Sequence, residues 1–165
     1  MSSRPAPEIQ TSGFDKMIEL AGWGCLILLW IITIFSYARL PEIIPTHFDA
    51  SGQADDEGSK MVLFFLPVIG TLLFVAMTVL NYYPHIFNYP VAITADNAQK
   101  QYSNAVRMIK ILKLSIVVTF TILVLLISGA ASSGDGSLGI WFLPVVLALV
   151  FVPIAFFLYK AYKEK

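Results

Sequence analysis

The sequence predicts an all-α membrane protein with four transmembrane helices and a short external hairpin-like loop between helices 1 and 2. The prediction rests on composition: 57% of the 165 residues are hydrophobic, only 13% are charged, and the mean hydropathy is +0.73. A soluble domain normally carries about 25% charged residues. A deficit of this size indicates that much of the surface faces lipid.

Charge and cysteine content exclude several classes of function. Eleven basic and eleven acidic side chains give a formal net charge of zero, so no nucleic-acid partner is expected. The single cysteine, Cys25, lies within an apolar run, which excludes an intramolecular disulfide and a four-thiolate metal site. No cofactor is predicted.

The chain begins with a polar segment followed by a long apolar run. Residues 1–16 contain two prolines and a glycine and predict a mobile cytoplasmic tail. The uncharged run that follows is long enough for a helix to cross about 30 Å of hydrocarbon. A cleaved signal peptide is the alternative, because Ser36, Tyr37 and Ala38 resemble a cleavage site. The run is longer than a usual signal-peptide core, which favours a retained span over 19–38.

Three further apolar runs predict the rest of the membrane domain. With the first span they form a single four-helix domain over 17–165. A short Ser- and Gly-rich connection precedes the last run and predicts that the last two helices form an antiparallel hairpin. The three predicted spans cover about 61–82, 111–131 and 139–160.

The distribution of basic residues predicts the orientation. With the N-terminus inside, nine basic side chains fall on the cytoplasmic side, and only Arg39 and Lys60 fall outside. Such an asymmetry follows the positive-inside rule. It predicts a multi-pass protein of the cell (inner) membrane with both termini in the cytoplasm and the 40–60 loop outside.

The segment that leads into the third span is predicted to be a basic amphipathic helix whose start is capped by Thr94. Two interpretations of its basic residues stay open. They can attract anionic lipid, which is worth about 1 kcal/mol per residue near the surface, or they can dock a partner protein. This predicted basic cytoplasmic face consists of Lys100, Arg107, Lys110 and Lys113.

The polar chemistry of the chain is concentrated in the loop at 40–60. Prolines make its entry extended, and two turns rich in Asp and Gly follow, which predicts a small hairpin on the outer membrane surface. Its candidate binding residues are His47, Asp49, Asp55 and Lys60.

A metal site on His47 and Asp55 is the alternative interpretation of the loop. Zinc normally requires three or four fixed ligands, and the spacing of a calcium loop is absent. The other histidine, His85, is predicted on the opposite side of the membrane. No catalytic motif is found, so we expect a protein that is not an enzyme. A metal-dependent membrane enzyme or sensor is the alternative function.

The loop also carries a family pattern. Residues 40–60 read LPEIIPTHFDASGQADDEGSK and resemble the LPxxIPxHFxxxGxxDxxGSK signature of the bacterial integral membrane family called domain of unknown function 1648. The resemblance covers 37–102. In this chain Asp56 and Glu57 replace an expected glycine and an aromatic residue, which makes the loop more acidic.

The resemblance implies a small integral membrane protein without assigned chemistry. The same domain opens larger immunity proteins that protect cells from a secreted sporulation-delaying toxin. We therefore expect a binding, accessory or immunity-like protein whose loop is a recognition surface or a structural clamp. The expected partners are the lipid bilayer and either an extracellular peptide or another membrane protein, and the residues predict no particular oligomeric state.

Overall fold

The computed structural model describes residues 4–6, 11–134 and 136–164, and this part of the chain contains four long helices and one two-stranded sheet. All four helices are long and apolar enough to cross a bilayer. The predicted all-α membrane class is therefore confirmed. The helices are α1 (Gly13–Arg39), α2 (Phe65–Leu80), α3 (Ala98–Ser133) and α4 (Phe142–Lys163).

The sheet lies between the first two helices, as predicted. Strands β1 (Ile43–Phe48) and β2 (Ala54–Ser59) pair in antiparallel fashion and form a hairpin. A 3-10 helix at Lys60–Phe64 then leads directly into α2, and another short one covers Pro84–Ile86 after α2.

Helix α1 begins within the segment predicted as a tail. Ser12 and Asp15 form a capping box, in which the Ser12 hydroxyl accepts the Asp15 N–H at 3.2 Å and the Asp15 carboxylate accepts the Ser12 N–H at 2.9 Å. Residues 1–3 and 7–10 of the predicted tail, and Lys165, lie outside the described residues. The helix thus extends beyond the predicted first span by a capped polar turn.

Helix α3 is also longer than its predicted span. Its 36 residues correspond to about 54 Å, which exceeds the hydrocarbon thickness of a bilayer. Thr94 and Asn97 exchange hydrogen bonds between side chain and backbone just before it, at 2.9 and 3.3 Å. The residue predicted as a cap therefore stabilises the turn that precedes α3.

Helices α1 and α3 run parallel and side by side. Hydrogen bonds join them at Asp15 and Arg107, at Glu19 and Lys113, and at Ser36 and Ser128, with separations of 92, 94 and 92 residues. Because the separation stays nearly constant, both helices start at the same end of the bundle. We call this the tail end, and the opposite end, where the sheet lies, the hairpin end.

The core has two parts. Leu26, Leu29 and Phe74 pack with Val117 and Val124 among α1, α2 and α3. A second cluster at the hairpin end joins the sheet to the helices and consists of Leu40, Ile44, Leu63 and Ile127. Large apolar side chains such as Leu72 and Phe151 are exposed on the outside of the bundle, where lipid would cover them.

Candidate functional site

The hairpin turns at Asp49. One Asp49 carboxylate oxygen accepts the backbone N–H groups of Ser51 and Gln53 at 2.8 and 3.0 Å, and the Ser51 hydroxyl at 2.6 Å. The Ser51 hydroxyl and these N–H groups hold the pKa of Asp49 below its ordinary value. Gly52 follows with a φ of +82°, which favours glycine. Asp49 is therefore a turn cap, and one of its carboxylate oxygens is fully engaged in the turn.

The inner face of the hairpin is apolar and packed. Ile44 is buried against Leu40, Leu63 and Ile127, so β1 is attached to α3 and to the 3-10 helix that precedes α2. In β1 the neighbouring residues Ile44 and Pro45 are both buried and His47 is exposed, and the pairing register is irregular between Pro45 and Phe48.

Lys60 closes the base of the hairpin from within. Its ammonium donates to the Leu40 carbonyl at 3.0 Å, pairs with Glu42 at 3.1 Å and lies 4.8 Å from the centre of the Tyr37 ring. The side chain is buried, so this predicted binding residue holds the end of α1 to the 3-10 helix that leads into α2. Its place in the structure is that of a clamp.

The tip of the hairpin docks on the connection between α3 and α4. The Leu138 N–H donates to the Gly52 carbonyl at 2.8 Å, and the Ala54 N–H donates to the Gly136 carbonyl at 2.7 Å. The Gln53 amide also donates to the Ser137 hydroxyl at 3.2 Å. These contacts join the hairpin, which lies between α1 and α2, to the connection between α3 and α4. They were not predicted from the sequence.

Four titratable side chains on the two strands are exposed, and we call them together the exposed face of the hairpin: His47, Asp55, Asp56 and Glu57. The His47 Nδ1 lies 2.5 Å from an Asp55 carboxylate oxygen, and the two side chains are 70% and 48% exposed. The pKa of His47 is raised above its ordinary value, first by the hydrogen bond to Asp55, then by the charge of Asp55 and, more weakly, by Asp56 and Asp49. This face is an acidic surface with one titratable cation.

The structure brings together only part of the predicted site. His47 and Asp55 form a pair, whereas Asp49 is engaged in the turn and Lys60 lies buried at the other end of the sheet. Among the residues that the structure describes, no group of three or more His, Cys, Asp or Glu side chains could hold a metal ion. His85 follows α2 at the tail end, far from His47 along the bundle.

The predicted basic face is not a solvent-exposed face. Lys100 is exposed, but Arg107 donates to Asp15 at 2.7 and 2.9 Å, and Lys113 is only 1% exposed. Lys110 is 8% exposed. The physical reason is that α1 presents two carboxylates, one turn apart, to this side of α3. The four-residue spacing of Asp15 and Glu19 indicates that both carboxylates lie on one face of α1. It does not indicate which helix that face contacts.

Comparisons with known proteins find one family model and one curated relative. Residues 24–71 match the family model described as "Domain of unknown function (DUF1648)". An uncharacterised protein of the archaeon Archaeoglobus fulgidus is 32% identical over 98 residues, which cover 54% of this chain and 52% of that protein. The chain thus spans about half the length of this curated relative. No solved structure matches.

The family match covers most of α1, the whole hairpin and the first part of α2. It includes every residue of the 40–60 pattern, while 72–102 of the predicted resemblance lies beyond the matched residues. The resemblance stated from the sequence is therefore confirmed at the hairpin. Residues 24–71 of this multi-pass membrane protein are thus similar to the domain of unknown function that defines the DUF1648 family.

Proposed function

We propose that this chain is a binding or accessory membrane protein and not an enzyme, and that the exposed face of its hairpin recognises an extracytoplasmic partner. The partner is an extended peptide, or a segment of another membrane protein, that carries positive charge. The observation that supports this most directly is a hairpin fixed on its inner face and at its tip, with carboxylates on its exposed face.

Rigidity supports recognition by this face. The inner face is held by Ile44 and Lys60, and the tip by Gly52 and Ala54. A surface that is ordered before binding loses less conformational entropy when it binds. The two predicted roles of the loop therefore fall on different faces, with a clamp inside and a recognition surface outside.

Charge supports a cationic partner. Asp55 pairs with His47, and within the described residues neither Asp56 nor Glu57 forms an ion pair. Electrostatic complementarity of this kind speeds association and selects partners, and it weakens as salt increases.

The metal-dependent alternative has less support. His47 and Asp55 offer two ligands at most, while catalytic zinc sites use three protein ligands and an open position. The His47 Nδ1 is already engaged in the hydrogen bond to the Asp55 carboxylate.

The proposal extends to location and role. The excess of basic residues on one side supports a cell membrane protein with both termini in the cytoplasm and the hairpin outside. An immunity-like role would mean that the captured molecule is a secreted peptide, and an accessory role that it is a neighbouring membrane protein.

Site-specific photo-crosslinking in cells tests this function. A photoreactive residue in place of exposed Ala50 should yield a discrete crosslinked product. Asp55→Asn with Asp56→Asn should remove that product without lowering the amount of protein in the membrane. The matched control, Asp96→Asn, changes an exposed carboxylate near the start of α3 and should leave the product unchanged. A product that persists in the Asp55/Asp56 variant would show that this face is not the recognition surface.

A further inference from the structure

A cavity of about 520 Å³ lies at the tail end between α1, α2 and α3. Glu19 and Trp23 line it from α1, Thr78 from α2, and Val106 and Lys110 from α3. Asn81 and Tyr82, directly after α2, complete the lining together with Thr11. The cavity lies on the opposite end of the protein from the hairpin and is independent of the proposed function.

Asn81 gives the cavity an unmet hydrogen-bonding capacity. Its side chain lines the cavity and the residue is only 9% exposed. Neither its amide oxygen nor its amide nitrogen has a hydrogen-bond partner among the residues that the structure describes. Buried polar atoms are normally paired, and leaving them unpaired costs free energy. The oxygen requires a donor and the nitrogen an acceptor, so a matching ligand offers both.

Lys110 gives the cavity an uncompensated positive charge. Glu19 is neutralised by Lys113 at 2.6 Å, and the Thr78 hydroxyl accepts from Lys113 and donates to the Phe74 carbonyl. Lys110 is only 8% exposed, yet no described residue forms an ion pair with it. When Glu19 is counted together with its partner Lys113, the charge of Lys110 is left over, and this one positive charge fits a ligand of net charge minus one.

The surroundings of the cavity indicate that lipid is the source of this ligand. Trp23 and Tyr82 are exposed at its edge, and such side chains favour the level of lipid headgroups. Exposed apolar residues, including Leu20 and Val79, continue from there along α1 and α2. An amphiphilic ligand could place its polar group in the cavity and its chains on this surface.

We propose that the cavity binds the headgroup of an anionic phospholipid, a phosphodiester that carries hydroxyl groups, as in phosphatidylglycerol. The Lys110 ammonium and the Asn81 amide nitrogen donate to the phosphate oxygens. The Asn81 amide oxygen accepts from a headgroup hydroxyl. With these contacts the charge of Lys110 is balanced, and both polar atoms of the Asn81 amide have hydrogen-bond partners.

Lipid retention tests the proposal. The full chain is extracted with a nonionic detergent from bilayers that contain equal amounts of phosphatidylglycerol, phosphatidylethanolamine and phosphatidylcholine, and retained lipid is counted by native mass spectrometry. We expect one phosphatidylglycerol per chain. Lys110→Met and Asn81→Leu should each lower its retention about fivefold or more. Lys110→Arg should keep most of it.

Lys100→Met is the matched control, because it removes an exposed cation from the same helix and should not change retention. Thermal unfolding of each variant separates loss of lipid from loss of fold. Equal retention by Lys110→Met and Lys100→Met would overturn the proposal. Retention of phosphatidylethanolamine equal to that of phosphatidylglycerol would overturn the charge assignment. Displacement by soluble glycerophosphate would overturn the lipid source.

Discussion

The Lys113 ammonium lies 2.6 Å from the Glu19 carboxylate and 2.7 Å from the Thr78 hydroxyl, so one buried cation joins α3 to α1 and α2. It also lies 4.3 Å from the centre of the Phe74 ring. Because α1 and α2 touch each other less than either touches α3, this contact fixes their separation at the tail end. Loss of this contact should therefore destabilise the packing of all three helices.

We predict that Lys113→Ala lowers the free energy of unfolding in detergent by about 3 kcal/mol or more, since it leaves the Glu19 charge without its partner. Lys100→Ala, at an exposed site on the same helix, should change it by about 0.5 kcal/mol or less. Chemical denaturation of the purified protein measures both. Replacing both partners, with Glu19→Gln and Lys113→Met, should cost less than Lys113→Met alone. A larger loss in the double variant would contradict the assigned pairing.

The pair of His47 and Asp55 predicts a pH dependence at the hairpin. The pKa of His47 is raised mainly by its hydrogen bond to Asp55, so Asp55→Asn should return it towards its ordinary value of 6.5. Asp56→Asn should lower it less, because Asp56 acts only through its charge. Nuclear magnetic resonance titration of the imidazole measures each pKa.

The sign of this dependence follows from the direction of the pKa shift. The folded hairpin binds the His47 proton more tightly than the unfolded chain does. This proton binding therefore contributes fully to stability below the pKa that His47 has in the unfolded chain. The contribution is lost as the pH rises through the pKa that His47 has in the folded protein. A wild-type His47 that titrates at its ordinary pKa would contradict the pairing.

The docked tip of the hairpin predicts a difference between two glycines. Gly52 has a φ of +82°, and a Cβ there would lie 2.8 Å from the Gly139 carbonyl oxygen. Gly134, which ends α3 with a φ of +72°, has no neighbouring atom within 4 Å of such a Cβ. Gly134→Ala should cost about 1–2 kcal/mol through its backbone conformation alone. Gly52→Ala should cost more, because it also separates the tip from the connection between α3 and α4.

Thermal unfolding of the two alanine variants compares these costs directly. Crosslinking between cysteines at Gln53 and Ser137, in a Cys25→Ala background, reports whether the tip remains docked. Gly52→Ala should weaken the crosslink and Gly134→Ala should preserve it. Equal effects of the two substitutions on both measurements would show that docking at Gly139 is unimportant.

Local features of the chain predicted the helices and the hairpin well. A transmembrane helix satisfies its own backbone hydrogen bonds, so an apolar run of sufficient length is enough to predict it. Asp49 and Gly52 similarly specify their turn by chemistry within four residues. For these elements the information lies within the segment that forms the structure.

Contacts between distant segments were not predicted. Gln53 meets Ser137 across 84 residues of chain, and nothing in either segment alone indicates this pairing. The basic residues of α3 show the same difficulty, because a helical pattern identifies a polar face but not what covers it. Arg107 and Lys113 were expected to attract anionic lipid or to dock a partner protein, and α1 covers them with Asp15 and Glu19.

The distribution of basic residues predicts that the hairpin lies outside the cell and the start of α3 inside it. In a Cys25→Ala background, Asp56→Cys on the hairpin should react in intact cells with a maleimide that does not cross membranes. Lys100→Cys should react only after the membrane is permeabilised. Both positions are exposed, so a difference in labelling reports the side of the membrane. Because α1 and α3 start at the same end, the two cysteines must lie on opposite sides in either orientation. Labelling of Lys100→Cys but not Asp56→Cys in intact cells would therefore show the opposite orientation, with the hairpin in the cytoplasm. That result would contradict the proposed extracytoplasmic partner.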